Sequence, residues 1–481
     1  MKKPVSRAPH MLKSSLVYTF FKYLILAMNA VKGILMAAYL GPALLGTYSL
    51  INLGINYSKY ANLGIFSAMN LQLSISHGEP EKEGYVTEVI STTALFMGVM
   101  AAFFIVCGGL AKWALSQWIP PDILPYIWAM VFLCITMQIK NFLLVYFRIY
   151  HRFLLINLLD FLGNLVILIG VILFAKSFTL DAVMASSCVA GLITCCFFFF
   201  FNTRLSFKPN WPLLWTLIAI GLPLLICGFS DYLFTTLDRV IIAKYFAREY
   251  MGYYAFGSTL AINSMVIIDA FGYLYYPKFL KRFHRDSPGT PQEKYNTLVQ
   301  YTFWLETLNV AIGVATISAI RYVIEWFLPA YGPSILTTQI LLLTLILKSL
   351  SYFPAIYLVA NKRQDQILAI LAILIPVSLG LMLATVKLGL GFKGVLLANF
   401  AAFFLYNAGL TGLMLKNTSM FSVKRLAACY GRYLIFSGFT LSVLLWHKDF
   451  ILAFIPVFLL LYYKGLKQVL IEIVHRIKPA H

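Results

Sequence analysis

Charge is what this sequence has least of: 12% of its 481 residues are Asp, Glu, Lys or Arg, against 60% hydrophobic. Soluble domains carry about 25% charged residues, so a water-soluble globular protein is excluded and a polytopic membrane protein is expected. Cysteine is thin as well. Cys107, Cys134, Cys188, Cys195, Cys196, Cys227 and Cys429 fall in apolar segments without zinc or redox spacing, and read as reduced packing residues. The few histidines scatter mostly to loops and tails, so neither a metal site nor a cofactor is expected. The first apolar segment lacks a small-residue cleavage site and is too long for a signal peptide, so it is expected to be retained. Long polar stretches are missing on one face, where loops of about 5 to 15 residues leave no room for an external domain.

Acidic residues are scarcer than basic ones, 18 against 38, for a net charge of +20. Placement decides what that excess means. With the N-terminus inside, about 24 Lys and Arg fall in cytoplasmic tails and loops, about 8 outside and about 6 within spans. The excess is first a topology signal that sets both termini in the cytoplasm, and it favours anionic lipid headgroups. Nucleic acid is not an expected partner.

Apolar runs of about 20 residues place spans near 14–39, 46–70, 87–110, 125–147, 153–175 and 182–202. A second set follows near 215–244, 252–277, 298–322, 335–360, 366–387 and 392–415, and a final pair near 430–446 and 450–465. Polar loops near 73–86, 203–213 and 278–297 separate some of them; the last carries Lys281, Arg282, His284 and Arg285. Tyr39, Gly46 and Tyr48 of YLGPALLGTY recur as Tyr245, Gly252 and Tyr254 of YFAREYMGYY. Both copies link one long apolar segment to the next, which indicates two similar lobes. The expected fold is an all-α polytopic membrane protein of about fourteen transmembrane helices. Two six-helix lobes related by a pseudo-twofold would surround a central cavity, with a C-terminal helix pair added. The corresponding domains are 1–203, 204–415 and 416–481. Beyond the last span, Leu466, Val469, Leu470, Ile473, Val474 and Ile477 share one face, as in an interfacial amphipathic helix.

Polar stripes of helical period run inside the apolar segments. They include Lys22, Asn29 and Lys32; Asn52, Asn56 and Lys59; Gln138, Lys140 and Asn141; Asn157, Asp160 and Asn164; Asp231, Thr235 and Asp238; and Thr302, Glu306 and Asn309. A lone buried Asn or Ser is usually interhelical glue. An ionisable group costs roughly 2.5–3.5 kcal/mol at mid-membrane, and about eleven of them are better explained by a hydrated cavity than by packing. The signs divide. Lys22, Lys32, Lys59 and Lys140 stand against Asp160 in the first half, while Asp231, Asp238, Asp269 and Glu306 stand against Arg239 and Lys348 in the second. A cationic lobe suits a diphosphate, because ammonium groups bind phosphate as point charges. An acidic lobe suits a Na⁺ or H⁺ site. Expected substrate contacts are therefore Lys22, Lys32, Asn56, Lys59, Lys140 and Arg239, and expected coupling or gating residues are Asp231, Asp238, Asp269 and Glu306. A structural ion pair between Asp238 and Arg239 is the competing explanation for those two residues.

The segment YLGPALLGTYSLINLGINYSKYANLGIFSAMN resembles the first helix-pair signature of the polysaccharide flippases in the multidrug/oligosaccharidyl-lipid/polysaccharide superfamily, with Asn62, Leu63 and Gly64 as its NLG-like element. GLPLLICGFSDYLFTTLDRVIIAKYF is similar to the seventh helix of that family, and FLPAYGPSILTTQILLL and GLGFKGVLLANF to later landmarks. The resemblance implies a MATE-like fold and alternating access that carries a lipid-linked oligosaccharide across the bacterial cytoplasmic membrane, with no enzymatic step. The implied cargo is a polyprenyl-diphosphate-linked repeat unit for O-antigen or another surface polysaccharide. The implied partners are the bilayer, a polysaccharide polymerase and other assembly proteins. A small-molecule cation antiporter of the same superfamily is the first alternative, which basic cavity residues disfavour. An integral-membrane glycosyltransferase or polymerase is the second, which the short outer loops disfavour.

Overall fold

A computed structural model describes residues 8–76, 83–201, 210–283, 290–446 and 454–477; the side chains of 8–19, 201, 266–278, 280–282, 291 and 469–477 lie outside the description. The polar loops expected near 73–86, 203–213 and 278–297 fall partly outside it too, as do the side chains of Lys281 and Arg282 and the residues His284 and Arg285. Among the described residues every regular element is helical. By its internal contacts the chain forms two compact units, residues 1–229 and 230–481. Span counting divides the chain at 203/204 instead; hydropathy marks where apolar runs stop, and contacts mark which neighbours they pack on.

The first unit holds α1 (Ala8–Ser58), α2 (Ile65–Ser76), α3 (Glu83–Trp113), α4 (Ile127–Ile149), α5 (Phe153–Phe201) and the start of α6 (Trp211–Tyr245). A straight α1 of 51 residues would run about 76 Å, more than twice the roughly 30 Å hydrocarbon core. It breaks instead at Gly41 (φ 69°, ψ 175°), immediately before Pro42. That left-handed φ favours a residue without Cβ, and the proline supplies no N–H to carry the helix across the bend. α5, with 49 residues, breaks the same way at Thr179 (φ 47°, ψ −120°). Each of these helices therefore has two arms. α1 packs mainly on α5, and α5 also packs on α4.

The NLG element is a turn with a visible cause. Residues Lys59–Asn62 form one 3₁₀ turn, after which Leu63 (φ 49°) and Gly64 (φ 81°) are both left-handed. The Asn62 side-chain oxygen accepts the Gly64 N–H at 2.9 Å. Gly64 then meets α6 backbone to backbone: a Cβ on Gly64 would lie 2.2 Å from the Gly221 carbonyl, and one on Gly221 would lie 2.1 Å from that of Gly64. Gly221 and Pro223 look in the sequence like a loosened helix start. They instead lie inside α6, which begins at Trp211, because the glycine there serves a close backbone approach. Beneath this crossing a core of Ile65, Met69, Val89, Phe142, Phe147 and Leu217 is fully buried.

The second unit holds the rest of α6 with α7 (Arg248–Phe283), α8 (Pro291–Phe327), α9 (Ser334–Leu350), α10 (Tyr352–Ala360), α11 (Gln364–Lys387), α12 (Gly391–Asn417), α13 (Val423–Trp446) and α14 (Phe454–Ile477). α8 starts on a capping box, in which Thr290 accepts the Glu293 N–H and the Glu293 carboxylate accepts the Thr290 N–H, with Pro291 at the first position. α9 is the centre of this unit: it packs on α7, α8 and α12, and the span it forms with α10 is 67% buried over its most apolar window.

Ten helical stretches among the described residues are long and apolar enough to cross a membrane. Two of them, α1 and α5, are each broken into two arms, at Gly41 and Thr179; α7 and α14, of 36 and 24 residues, are helices outside these ten. The chain is thus an all-helical, multi-pass membrane protein. The expected interfacial tail helix is the continuation of α14 to Ile477, and its apolar face from Val469 onward lies outside the described side chains. The internal repeat has a structural counterpart. Between Tyr39 and Gly46 the chain breaks at Gly41, and between Tyr245 and Gly252 it passes from α6 to α7.

Gly64→Ala and Gly221→Ala each force two backbones apart, which overpacking places at about 1–3 kcal/mol or more. A thermal unfolding midpoint of the purified protein that falls with either substitution is the expected result, and an unchanged midpoint for both would contradict the contact.

Candidate functional site

In the first unit a cavity of about 340 Å³ opens between both arms of α1, the middle of α4 and both arms of α5. Helical spacing puts the lining in place. Asp160, Gly163, Asn164 and Ile167 share one face of the first arm of α5, and Met184, Ser187, Gly191 and Thr194 share one face of the second. Tyr48, Asn52 and Ile55 come from the second arm of α1, Lys32 from the first, and Thr136 and Lys140 from α4.

Two ammonium groups point at neighbouring turns of α5. Lys140 Nζ lies 2.6 Å from Asp160 Oδ1, and Lys32 Nζ donates to Asn164 Oδ1 at 2.8 Å. The Asn164 amide in turn donates to the Asp160 carbonyl at 2.9 Å, one helical turn back. Lys59, half-buried in the 59–62 turn, is near enough to Lys140 for their charges to repel, as is Lys32. The Tyr48 hydroxyl is within hydrogen-bonding reach of Asn52 and Ser187. Two ammonium groups thus share the cavity wall with one carboxylate, Lys59 stands near one of them, and hydroxyls and amides fill the rest of the polar lining. Such a surface attracts an anion and offers hydrogen bonds to a polar, uncharged extension of it.

The sequence-expected contacts distribute unevenly about this cavity. Lys32 and Lys140 line it and Lys59 stands beside it. Asn56 is one turn from the lining Asn52 and donates to the Asn52 carbonyl at 2.9 Å. Lys22 is exposed on the first arm of α1, well before Lys32. Arg239 belongs to the second unit, where its guanidinium lies 5.6 Å from the Tyr254 ring centroid. Tyr48, Thr136, Ser187 and Thr194 complete the lining, although they stand outside the stripes picked out in the sequence. Ser187 and Thr194 were visible there only as small polar residues seven apart in a strongly apolar run.

The acidic residues of the second unit are held differently. Asp238 is 1% exposed. It accepts the Arg239 N–H at 2.8 Å, the Tyr254 hydroxyl and the Asn399 amide at 2.7 Å. These bonds tie α6 to α7 and α12. Glu306, also 1% exposed, accepts the Tyr462 hydroxyl and ties α8 to α14. Arg432 from α13 stacks over the Phe303 ring at 3.9 Å beside this tie. Asp231 is exposed, and the Asp269 side chain lies outside the described residues. A wet passage lined by all these acids was the expectation; Asp238 and Glu306 instead lie in interhelical hydrogen-bonded ties, because tyrosine and asparagine donors reach them across the helix contacts. Among the described residues no group of three His, Cys, Asp or Glu is placed to hold a metal ion.

The helical architecture and the polar cavity of its first unit are the features that known proteins can be compared with. Residues 59–279 match the model of the family described as "Polysaccharide biosynthesis protein". Among solved structures the chain is similar to the lipid II flippase MurJ in an inward closed conformation, at 14% identity and a TM-score of 0.70, over 95% of this chain and 100% of that one. It is also similar to an inward-facing multidrug resistance MATE family transporter of the MOP superfamily, at 12% identity and a TM-score of 0.64, over 84% and 96%. A Vibrio cholerae MATE transporter, VcmN, aligns at 14% identity and a TM-score of 0.55, over 84% and 95%. No curated protein matches the chain in sequence. The family match takes in the end of the first resembling segment, from Lys59 to Asn70, and all of GLPLLICGFSDYLFTTLDRVIIAKYF, and it stops before the later landmarks.

Tyr462→Phe leaves the Glu306 carboxylate short of a donor. The loss of a buried hydrogen bond of this kind is about 1–3 kcal/mol, read as a lowered unfolding midpoint. A Tyr462→Phe protein as stable as the parent would show that the α8–α14 tie contributes nothing.

Proposed function

We propose that this protein is a flippase that moves an anionic lipid-linked oligosaccharide across the cytoplasmic membrane of a bacterium by alternating access. The cargo is a polyprenyl-diphosphate-linked repeat unit for O-antigen or another surface polysaccharide. The observation that carries this is the meeting of Lys32 and Lys140 on one cavity with a single lining carboxylate, with Lys59 close enough to Lys140 to repel it. The cation excess matches a diphosphate, and the amide and hydroxyl lining suits sugar hydroxyls. A cavity of about 340 Å³ is at the small end of ligand sites, which run from about 300 to 1,000 Å³; it holds a headgroup rather than a whole oligosaccharide. The same charge disfavours cationic drugs as cargo. No step of bond chemistry is assigned, and the lipid tail stays in the bilayer while the headgroup crosses. In this proposal residues 1–203 and 204–415 are the two lobes, 416–481 is an added helix pair, and both chain ends face the cytoplasm. A polysaccharide polymerase and other assembly proteins are the partners it would serve.

Charge-assisted hydrogen bonds contribute about 1.5–3 kcal/mol each. Lys32→Gln or Lys140→Gln is therefore expected to weaken headgroup binding about ten- to a hundredfold. Lipid-linked oligosaccharide should then accumulate in the inner leaflet of cells that carry either variant. Undiminished export by both single variants and by the double variant would remove the anion site.

Coupling to Na⁺ or H⁺, with Asp231, Asp238, Asp269 and Glu306 as the responsive carboxylates, is the second element of the proposal. Headgroup translocation in proteoliposomes should rise when a gradient of the coupling ion is imposed. Equal rates with and without Na⁺ and H⁺ gradients would exclude an ion-driven cycle.

A further inference from the structure

The cavity of the first unit already contains an anion of its own, Asp160, and its placement implies a role beyond packing. Lys140 and Asp160 lie 2.6 Å apart, yet their side chains keep 36% and 32% of their exposure. A pair sealed in a dry core would be structural. This one lines the cavity wall, where an incoming ligand can reach both partners. The second lysine is satisfied differently: Lys32 rests on Asn164, a neutral amide one turn along the same helix. Displacing Lys32 from Asn164 therefore costs a neutral hydrogen bond, whereas displacing Lys140 from Asp160 costs an ion pair. Lys140 also faces repulsion from Lys32 and Lys59, which Asp160 relieves while the site is empty.

We propose that Asp160 is an internal stand-in for the cargo's anion, a specificity-determining residue that makes the site select a diphosphate over singly phosphorylated or carboxylate ligands. The proposal rests on the anion-binding role assigned above to the same cavity. The physical basis is competition for one ammonium group. A ligand with a single anionic group meets Lys140 already neutralised, and it gains little by replacing one carboxylate with another anion. A diphosphate spans two sites. It takes Lys140 from Asp160 and engages Lys32 at the same time, so the second contact comes within one molecule and offsets the ion pair lost. Asp160 also supplies a return path, because it recaptures Lys140 as the headgroup leaves. Both α5 acceptors, Asp160 and Asn164, are vacated together when the diphosphate binds, which loosens α1 and α4 from α5. Ligand binding is thereby linked to the packing of this unit, as a population shift requires.

The test uses the purified full-length protein and isothermal titration with inorganic pyrophosphate and inorganic phosphate at one ionic strength. The parent protein is expected to bind pyrophosphate at least about tenfold more tightly than phosphate, the scale of one additional charge-assisted contact. Asp160→Asn is expected to gain at least about tenfold in phosphate affinity and to narrow the pyrophosphate preference, while its export activity falls because release is slowed. Lys140→Gln is expected to lose pyrophosphate affinity. Equal affinity of the parent for the two anions overturns the proposal without any variant. An Asp160→Asn protein that retains the parent's discrimination while Lys140→Gln loses pyrophosphate binding also overturns it and leaves the anion site standing. Pyrophosphate binding that Lys140→Gln does not alter overturns the anion site itself.

Discussion

A charged side chain in hydrocarbon must be met by something other than water, and that requirement organises this protein more than any single contact. At roughly 2.5–3.5 kcal/mol for each mid-membrane charge, the ionisable groups inside these helices must either be tied off by neighbouring helices or face a cavity. Both solutions occur. In the second unit Asp238 and Glu306 are tied off, by Tyr254 and Asn399 in one case and by Tyr462 in the other. The Asn399 and Tyr462 bonds reach across more than 150 residues of sequence, and both carboxylates are left almost without exposure. In the first unit Lys32, Lys140 and Asp160 remain on a cavity wall. The same chemical cost thus yields a rigid element in one unit and a binding surface in the other.

Backbone breaks make the cavity geometrically available. The two longest helices would overshoot a bilayer if straight, and each bends at a residue with positive φ, Gly41 in α1 and Thr179 in α5. Each bend brings two arms of one helix to the cavity. Asn164 and Thr194 therefore face the same space although a turn of the chain separates them. The Gly64–Gly221 crossing fixes the end of this arrangement by removing side chains where two backbones meet. The cavity-lining residues then project from helices rather than loops, and their positions are set by packing.

Much of this was legible beforehand. Apolar runs gave the approximate limits of many of the spanning helices, because the length needed to cross hydrocarbon is fixed by bilayer thickness. The Tyr–Gly–Tyr echo fell at two interruptions between helical segments, at Gly41 and between α6 and α7. The polar stripes identified Lys32, Lys140, Asp160 and Asn164 as inward-facing. Other features were not legible. Gly221 and Pro223 carry the composition of a helix boundary yet lie within α6, since a glycine that admits a crossing backbone looks the same in sequence as one that ends a helix. Ser187 and Thr194 were hidden because small polar residues are common in membrane helices and signal little alone.

By itself the sequence determined the class of molecule: an all-helical, multi-pass membrane protein whose in-span charges are mostly basic in the first half and mostly acidic in the second, with the resemblance to polysaccharide flippases. Those properties follow from local quantities, namely segment length, hydropathy, charge and helical period, which do not depend on how helices pack. Only the tertiary structure decided which charges share a cavity and which are tied away. Lys140 and Asp160 meet across two helices, while Asp238 and Arg239 are adjacent in sequence and Asp238 finds its side-chain partners on α7 and α12. The reason is physical: a periodic stripe fixes the face a residue occupies, but the partner it meets depends on which helix that face packs against.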